Sequence, residues 1–150
     1  WADSLRRLAP SGEGSASATC ALAWLAAGVT TVVHFTQLTA VRQLWSAGLL
    51  PDYRLIWPSV TLAVEYFAWD VLVGLTMAFA GLTLRGVPRG RWVGSGFLFG
   101  GVLCLAGLVG PLSGRMALQN LAVAGYAVVL PVAAAFCARL FRLTPPRSDD

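Results

Sequence analysis

The chain of 150 residues contains no lysine, a single histidine and few charges of any kind: 12% of its residues are charged, about half the share usual in a soluble domain. Without lysine no Schiff base can form on a side chain, which excludes a retinal pigment or a pyridoxal enzyme. His34 alone supplies one axial imidazole, so haem ligation is disfavoured. Cys20, Cys104 and Cys137 are far apart and form no C-x-x-C pair. With one histidine they make no zinc pattern, and they read as small buried residues. No serine stands in a recognisable nucleophile motif, which disfavours a Ser-His-acid hydrolase. No cofactor is expected. The eleven arginines are scattered among apolar segments, so no nucleic-acid partner is expected either.

What the chain does have is apolar length. Hydrophobic residues make up 57% of it, gathered into four runs at about 19–40, 60–84, 92–112 and 116–138. Each reaches about 20 residues, enough for a helix to cross a hydrocarbon core of roughly 30 Å. No two-residue alternation appears, and a spanning segment must satisfy its backbone internally. The expected fold is therefore all-α: a polytopic membrane protein with four transmembrane helices in an antiparallel bundle, multi-pass in the cell membrane, with the lipid bilayer as its main partner. Residues 19–142 form that domain. Residues 1–18 and 143–150 read as flexible tails, the first lacking the apolar core of a signal peptide.

Arginine placement gives an orientation. Arg6, Arg7, Arg85, Arg89, Arg91, Arg139, Arg142 and Arg147 fall on one side of the four runs, and only Arg42, Arg54 and Arg115 on the other. The positive-inside rule then puts both termini in the cytoplasm. Trp45, Tyr53 and Trp57 cluster in the long outer connection, 41–57, as interfacial anchors do. That connection is expected to form a short interfacial helix or a cap over the bundle.

Glu65 and Asp70 lie inside the second run and are the only carboxylates within any of the four. Each costs roughly 2.5–3.5 kcal/mol at a bilayer centre, while an apolar residue returns roughly 0.3–0.6 kcal/mol. Eleven Leu, Val and Phe residues in that run are therefore largely offset. A polar partner, a water-filled cavity or a proton has to compensate. His34 and Gln37 share a face in the outer half of the first helix. Glu65 enters at a similar depth, Asn120 lies near the outer end of the fourth helix, and Arg42 sits just above. These side chains form the candidate site, with His34 and Glu65 as a proton-exchanging pair and Gln37, Arg42 and Asn120 binding the ligand. Asp70 lies deeper and about 140° around the helix from Glu65. It is either the floor of the site, where Asp70, Tyr66 and Tyr126 also count as ligand-binding candidates, or a separate tether between helices, with Tyr66 on its own stripe and Tyr126 within its depth.

A histidine titrates near neutral pH, and a desolvated carboxylate can exchange protons with it. The pattern fits a pocket in the outer-leaflet half that binds or processes a small lipophilic molecule. No motif specifies a reaction. Two other classes fit the same residues: a structural or accessory membrane subunit, and a proton-coupled transporter unit acting as a homo-oligomer. In the third run Gly96 and Gly100 form a G-x-x-x-G pair, read as a close-packing face, and Pro131 is expected to kink the fourth helix.

The topology is tested with an impermeant maleimide and single Arg54→Cys and Arg89→Cys variants. The two cysteines should label from opposite sides of the membrane; labelling from one side would overturn the four-span order.

Overall fold

A computed structural model describes residues 13–49 and 53–143. Among them every regular element is helical, with no strand. Four helices are long and apolar enough to cross a membrane: α1 (Glu13–Ser46), α2 (Val60–Arg85), α3 (Arg91–Ser113) and α4 (Met116–Leu143).

The ends of α2 and α3 fall within a residue or so of the apolar runs. The first helix does not. Residues 13–18, expected in a flexible tail, are helical. Glu13 sits in the first turn, where a carboxylate complements the helix dipole. Ala16 and Thr19 are fully buried, and Ser15 Oγ lies 2.7 Å from Thr83 Oγ1 of α2. At its other end α1 continues past residue 40 through a π-turn, Gln37–Val41, and a last α-turn, Arg42–Ser46. The expected separate interfacial helix is thus the continuation of α1, which closes near Gly48 in the left-handed region (φ 71°). At 34 residues the helix is about 51 Å long by its rise per residue. α4 runs five residues beyond the expected 138. The remaining expected tail residues, 1–12 and 144–150, and residues 50–52 of the long connection, lie outside the described residues.

Ser59 caps α2, accepting the Leu62 N–H at 3.1 Å, and Pro58 stands just before the cap. Gly114 (φ 72°) closes α3 and allows the sharp turn into α4. Pro131 has no N–H to complete the ladder of α4. The turn before it, Ala124–Val129, is wound as a π-helix, so the local irregularity falls where the proline removes a bond.

α2 and α3 form the centre; α1 packs on α2, and α4 packs on α3. The contact between α2 and α3 is backbone on backbone. A Cβ at Gly94 would stand 2.6 Å from the Gly81 carbonyl oxygen, and one at Gly101 2.6 Å from that of Gly74. The close face is therefore Gly94 and Gly101. The expected Gly96–Gly100 pair splits: Gly100 is filled by Met77 and Val129, whereas Gly96 meets only Ala133 Cβ at 3.8 Å.

Burial follows the logic of a bilayer. Lipid chains are as apolar as leucine, so helices associate through small residues that pack closely. The interior holds Ala16, Ala68, Ala80, Cys104, Ala122 and Ala133 together with the glycines, while Trp24, Phe35, Trp92 and Leu112 stand largely exposed. Cys104 and Cys137 are buried and Cys20 is partly so. One cluster joins all four helices through Ala16, Met77, Leu84, Phe97, Ala133 and Leu140.

Gly94→Val should lower stability by about 1–3 kcal/mol, as overpacking does, because the obstacle is backbone that cannot turn aside. Gly96→Ala should stay within about 0.5 kcal/mol of wild type. Unfolding in detergent micelles measures both, and equal losses would remove the special role of the Gly81–Gly94 contact.

Candidate functional site

The capped start of α2 puts Glu65 in its second turn and Trp69 one turn further, on the same face. Trp69 Nε1 donates to Glu65 Oε1 at 2.7 Å. From α1, His34 Nδ1 stands 3.7 Å from the same carboxylate oxygen and 2.9 Å from the Thr30 carbonyl. A carbonyl only accepts, so Nδ1 carries the proton in that bond and Nε2 is the ring atom left to take one. His34 is 54% exposed and Glu65 only 13%. The second oxygen of Glu65, Oε2, is buried with no hydrogen-bond partner. His34 and Glu65 thus come together as expected, and Trp69 joins them.

Other expected members lie elsewhere. Gln37 donates through Nε2 to the Tyr53 carbonyl and so ties α1 to the long connection. Arg42 is exposed; near it in the chain, the Arg54 guanidinium lies over the Trp45 ring at 5.2 Å. Tyr66 packs on Trp57 with ring centroids 5.9 Å apart, and Tyr126 packs on Trp69 at 5.1 Å.

Asn120 is exposed, and its neighbour Gln119 is the buried polar residue of α4. Successive helical residues are about 100° apart, so only one of the two can face inward. The inward stripe of α4 runs Gln119, Ala122, Gly125, Val129, Ala133, Cys137 and Leu140, spaced three or four apart and made mostly of small residues. Gln119 belongs to it and Asn120 does not. Backbone room is supplied by Gly110, where a Cβ would come within 2.6 Å of Gln119 N.

Gln119 meets the deeper acid. Its Nε2 donates to Asp70 Oδ1 at 3.2 Å, and Asp70 is completely buried. Glu65 faces α1 and Asp70 faces α4, so the two carboxylates belong to separate clusters. Asp70 takes its hydrogen bond from Gln119 rather than from Tyr126. Trp69 stands between the clusters, bonded to Glu65 and packed on Tyr126.

Beside Trp69 lies an apolar cleft of about 580 Å³, within the range of small-molecule sites. Ala23, Ala27 and Thr30 of α1 form one wall and Leu130 and Ala134 of α4 the other; Val73, Met77 and Phe97 form the floor. Trp69 and Thr30 line the cleft and also hold the polar cluster, so the two adjoin. Among the described residues no group of three or more His, Cys, Asp or Glu gathers as a metal site would require.

No protein-family model, curated protein or solved structure matches the chain.

Gln119→Leu should cost about 1–3 kcal/mol, since it strands a buried acceptor on Asp70, whereas Asn120→Leu should change stability by less than about 0.5 kcal/mol. Denaturation of the two variants side by side checks this, and a larger loss at Asn120 would contradict the inward assignment of Gln119.

Proposed function

We propose that the chain is a multi-pass integral protein of the cell membrane that binds a small lipophilic molecule in the cleft between α1, α2 and α4. Its polar end lies against His34 and Glu65, which process it by proton exchange. The observation that carries this reading is the junction at Trp69. An apolar cleft ends on an indole that is hydrogen-bonded to a largely buried carboxylate, and that carboxylate keeps one oxygen without a partner. Such a site suits an amphiphile: the tail removes apolar surface from water or disordered lipid, and the head satisfies Glu65 Oε2.

The roles divide by atom. Glu65 Oε2 accepts a proton or a hydrogen bond from the ligand, and Trp69 fixes Oε1 so that Oε2 is the free position. His34 holds Nδ1–H on Thr30 and keeps Nε2 for proton transfer. Gln37 and Arg42 act further out, at the connection that borders the site.

The same reading includes an antiparallel bundle with both termini in the cytoplasm. Supporting it are contacts whose numbers rise on one helix as they fall on the other: Ser15 with Thr83 and His34 with Glu65, then Gly74 with Gly101 and Gly81 with Gly94. The arginine asymmetry supplies the orientation, which puts the His34–Glu65 cluster in the outer-leaflet half.

The test is to purify the protein in mild detergent, extract what accompanies it and weigh it by mass spectrometry. Wild type should retain a lipophilic species that Ala27→Phe, which fills the cleft, loses. After incubation in D2O and work-up in H2O, the retained species should carry carbon-bound deuterium on wild type and not on Glu65→Gln, an amide without a titratable proton. Glu65→Gln should remain folded, with stability within about 1 kcal/mol of wild type because an amide still accepts the Trp69 N–H. Equal retention by Ala27→Phe would dismiss the cleft, and equal deuterium uptake by Glu65→Gln would dismiss the proton exchange.

A further inference from the structure

The deeper cluster has an incomplete bonding pattern of a specific kind. Asp70 is 0% exposed and Gln119 5%. Their one hydrogen bond joins Gln119 Nε2 to Asp70 Oδ1. The remaining oxygens, Asp70 Oδ2 and Gln119 Oε1, are both buried and both without a partner. Each is an acceptor, and neither can satisfy the other unless something positive stands between them. Burial in a bilayer removes the water that would otherwise supply a donor.

Among the described residues no protein cation does so. Among the described residues the carboxylate that meets a basic side chain is Glu65, with His34. The titratable groups facing Asp70 are Tyr66 on its own helix, Cys104 on α3 and Tyr126 on α4. Glu65 lies five residues before Asp70 on α2 and faces α1, whose ionisable groups are Glu13, Cys20, His34 and Arg42. The Cys104 thiol points to the Ala122 carbonyl at 4.0 Å, and the Tyr126 ring packs on Trp69.

A carboxylic acid and a primary amide are complementary. The amide N–H donates to the acid carbonyl, and the acid O–H donates to the amide carbonyl. The first of these bonds is present. One proton on Oδ2 forms the second, satisfies both orphan oxygens and removes the buried charge. Two oxygens also fall short of the larger oxygen shell that hard metal cations take.

We propose that Asp70 and Gln119 form a buried proton-binding site, in which one exchangeable proton on Asp70 Oδ2 closes an acid–amide ring between α2 and α4. Binding is the simple addition of a proton to the carboxylate, and release leaves two acceptors face to face. Proton occupancy therefore sets whether one hydrogen bond or two hold the first turn of α4 to α2. This site is separate from the His34–Glu65 cluster, and its test does not depend on any ligand.

Infrared difference spectroscopy of the protein in lipid nanodiscs reads the proton directly. Wild type should have a carboxylic-acid carbonyl band that moves in D2O and moves again when aspartate carboxyl carbons carry carbon-13. The band should vanish in Asp70→Asn and persist in Glu65→Gln. Asparagine offers a donor where the acid has O–H, so Asp70→Asn should keep the wild-type melting temperature while Asp70→Leu falls well below it. Absence of an aspartic-acid band in wild type, a measurement that no variant's misfolding can spoil, overturns the proposal. So does a melting temperature that rises with sodium chloride but not with choline chloride, which would assign the site to sodium.

Discussion

Everything else in this bundle is arranged around two helices whose backbones touch. At the Gly81–Gly94 and Gly74–Gly101 crossings of α2 and α3 neither partner brings a side chain of its own, and Leu98, Arg85 and Cys104 pack in beside them, so the attraction is dispersion at short range over many atoms. In a soluble protein such a seam would forgo the burial of large apolar groups. In a bilayer nothing is forgone, because large side chains are equally at home facing lipid. The close seam brings Asp70 and Glu65, on the same helix as Gly74 and Gly81, into a fixed relation with α3, and through α3 with α4.

Irregular turns recur where the polar residues are. Gln37 begins one π-turn, Trp69 and Asp70 lie in a second, and Tyr126 in a third. A π-turn shifts the phase of a helix, so residues beyond it face a different direction from the one a uniform 3.6 period gives. In α2 Trp69 lies one turn from Glu65 and bonds it, while Asp70, the next residue, turns to α4, a separation that the ordinary 3.6 period already gives. Two acids five residues apart are served by two different neighbours.

The spans were legible because long apolar runs have few alternatives. So was the pairing of His34 with Glu65, since the spacing of polar residues from the ends of two successive helices fixes depth. Depth, however, is one coordinate, and the angular one was harder. Asn120 and Gln119 have the same depth, and only the stripe of small residues at 122, 125, 129 and 133 separates them. Trp69 was missed as the donor to Glu65, although an i, i+4 pair of indole and carboxylate is a local contact. The start of α1 was missed for another reason: Ser15 and Ala16 lack the hydrophobicity of a span, and their helix rests on contacts with α2 that no local window contains.

The rims of the cleft carry a consequence for how occupancy would be measured. Ala27 of α1 and Ala134 of α4 border the opening, are themselves exposed, and lie well inside their helices rather than at the ends. In a bilayer such a mouth faces acyl chains and not bulk water. On the proposed function, a molecule reaching it would already have partitioned into the membrane, so the concentration governing its binding would be a mole fraction in lipid. Two compounds with equal contacts in the cleft would then differ in aqueous potency by the ratio of their partition coefficients. Changing the amount of lipid at constant dose would shift saturation, as it would not for a pocket open to water.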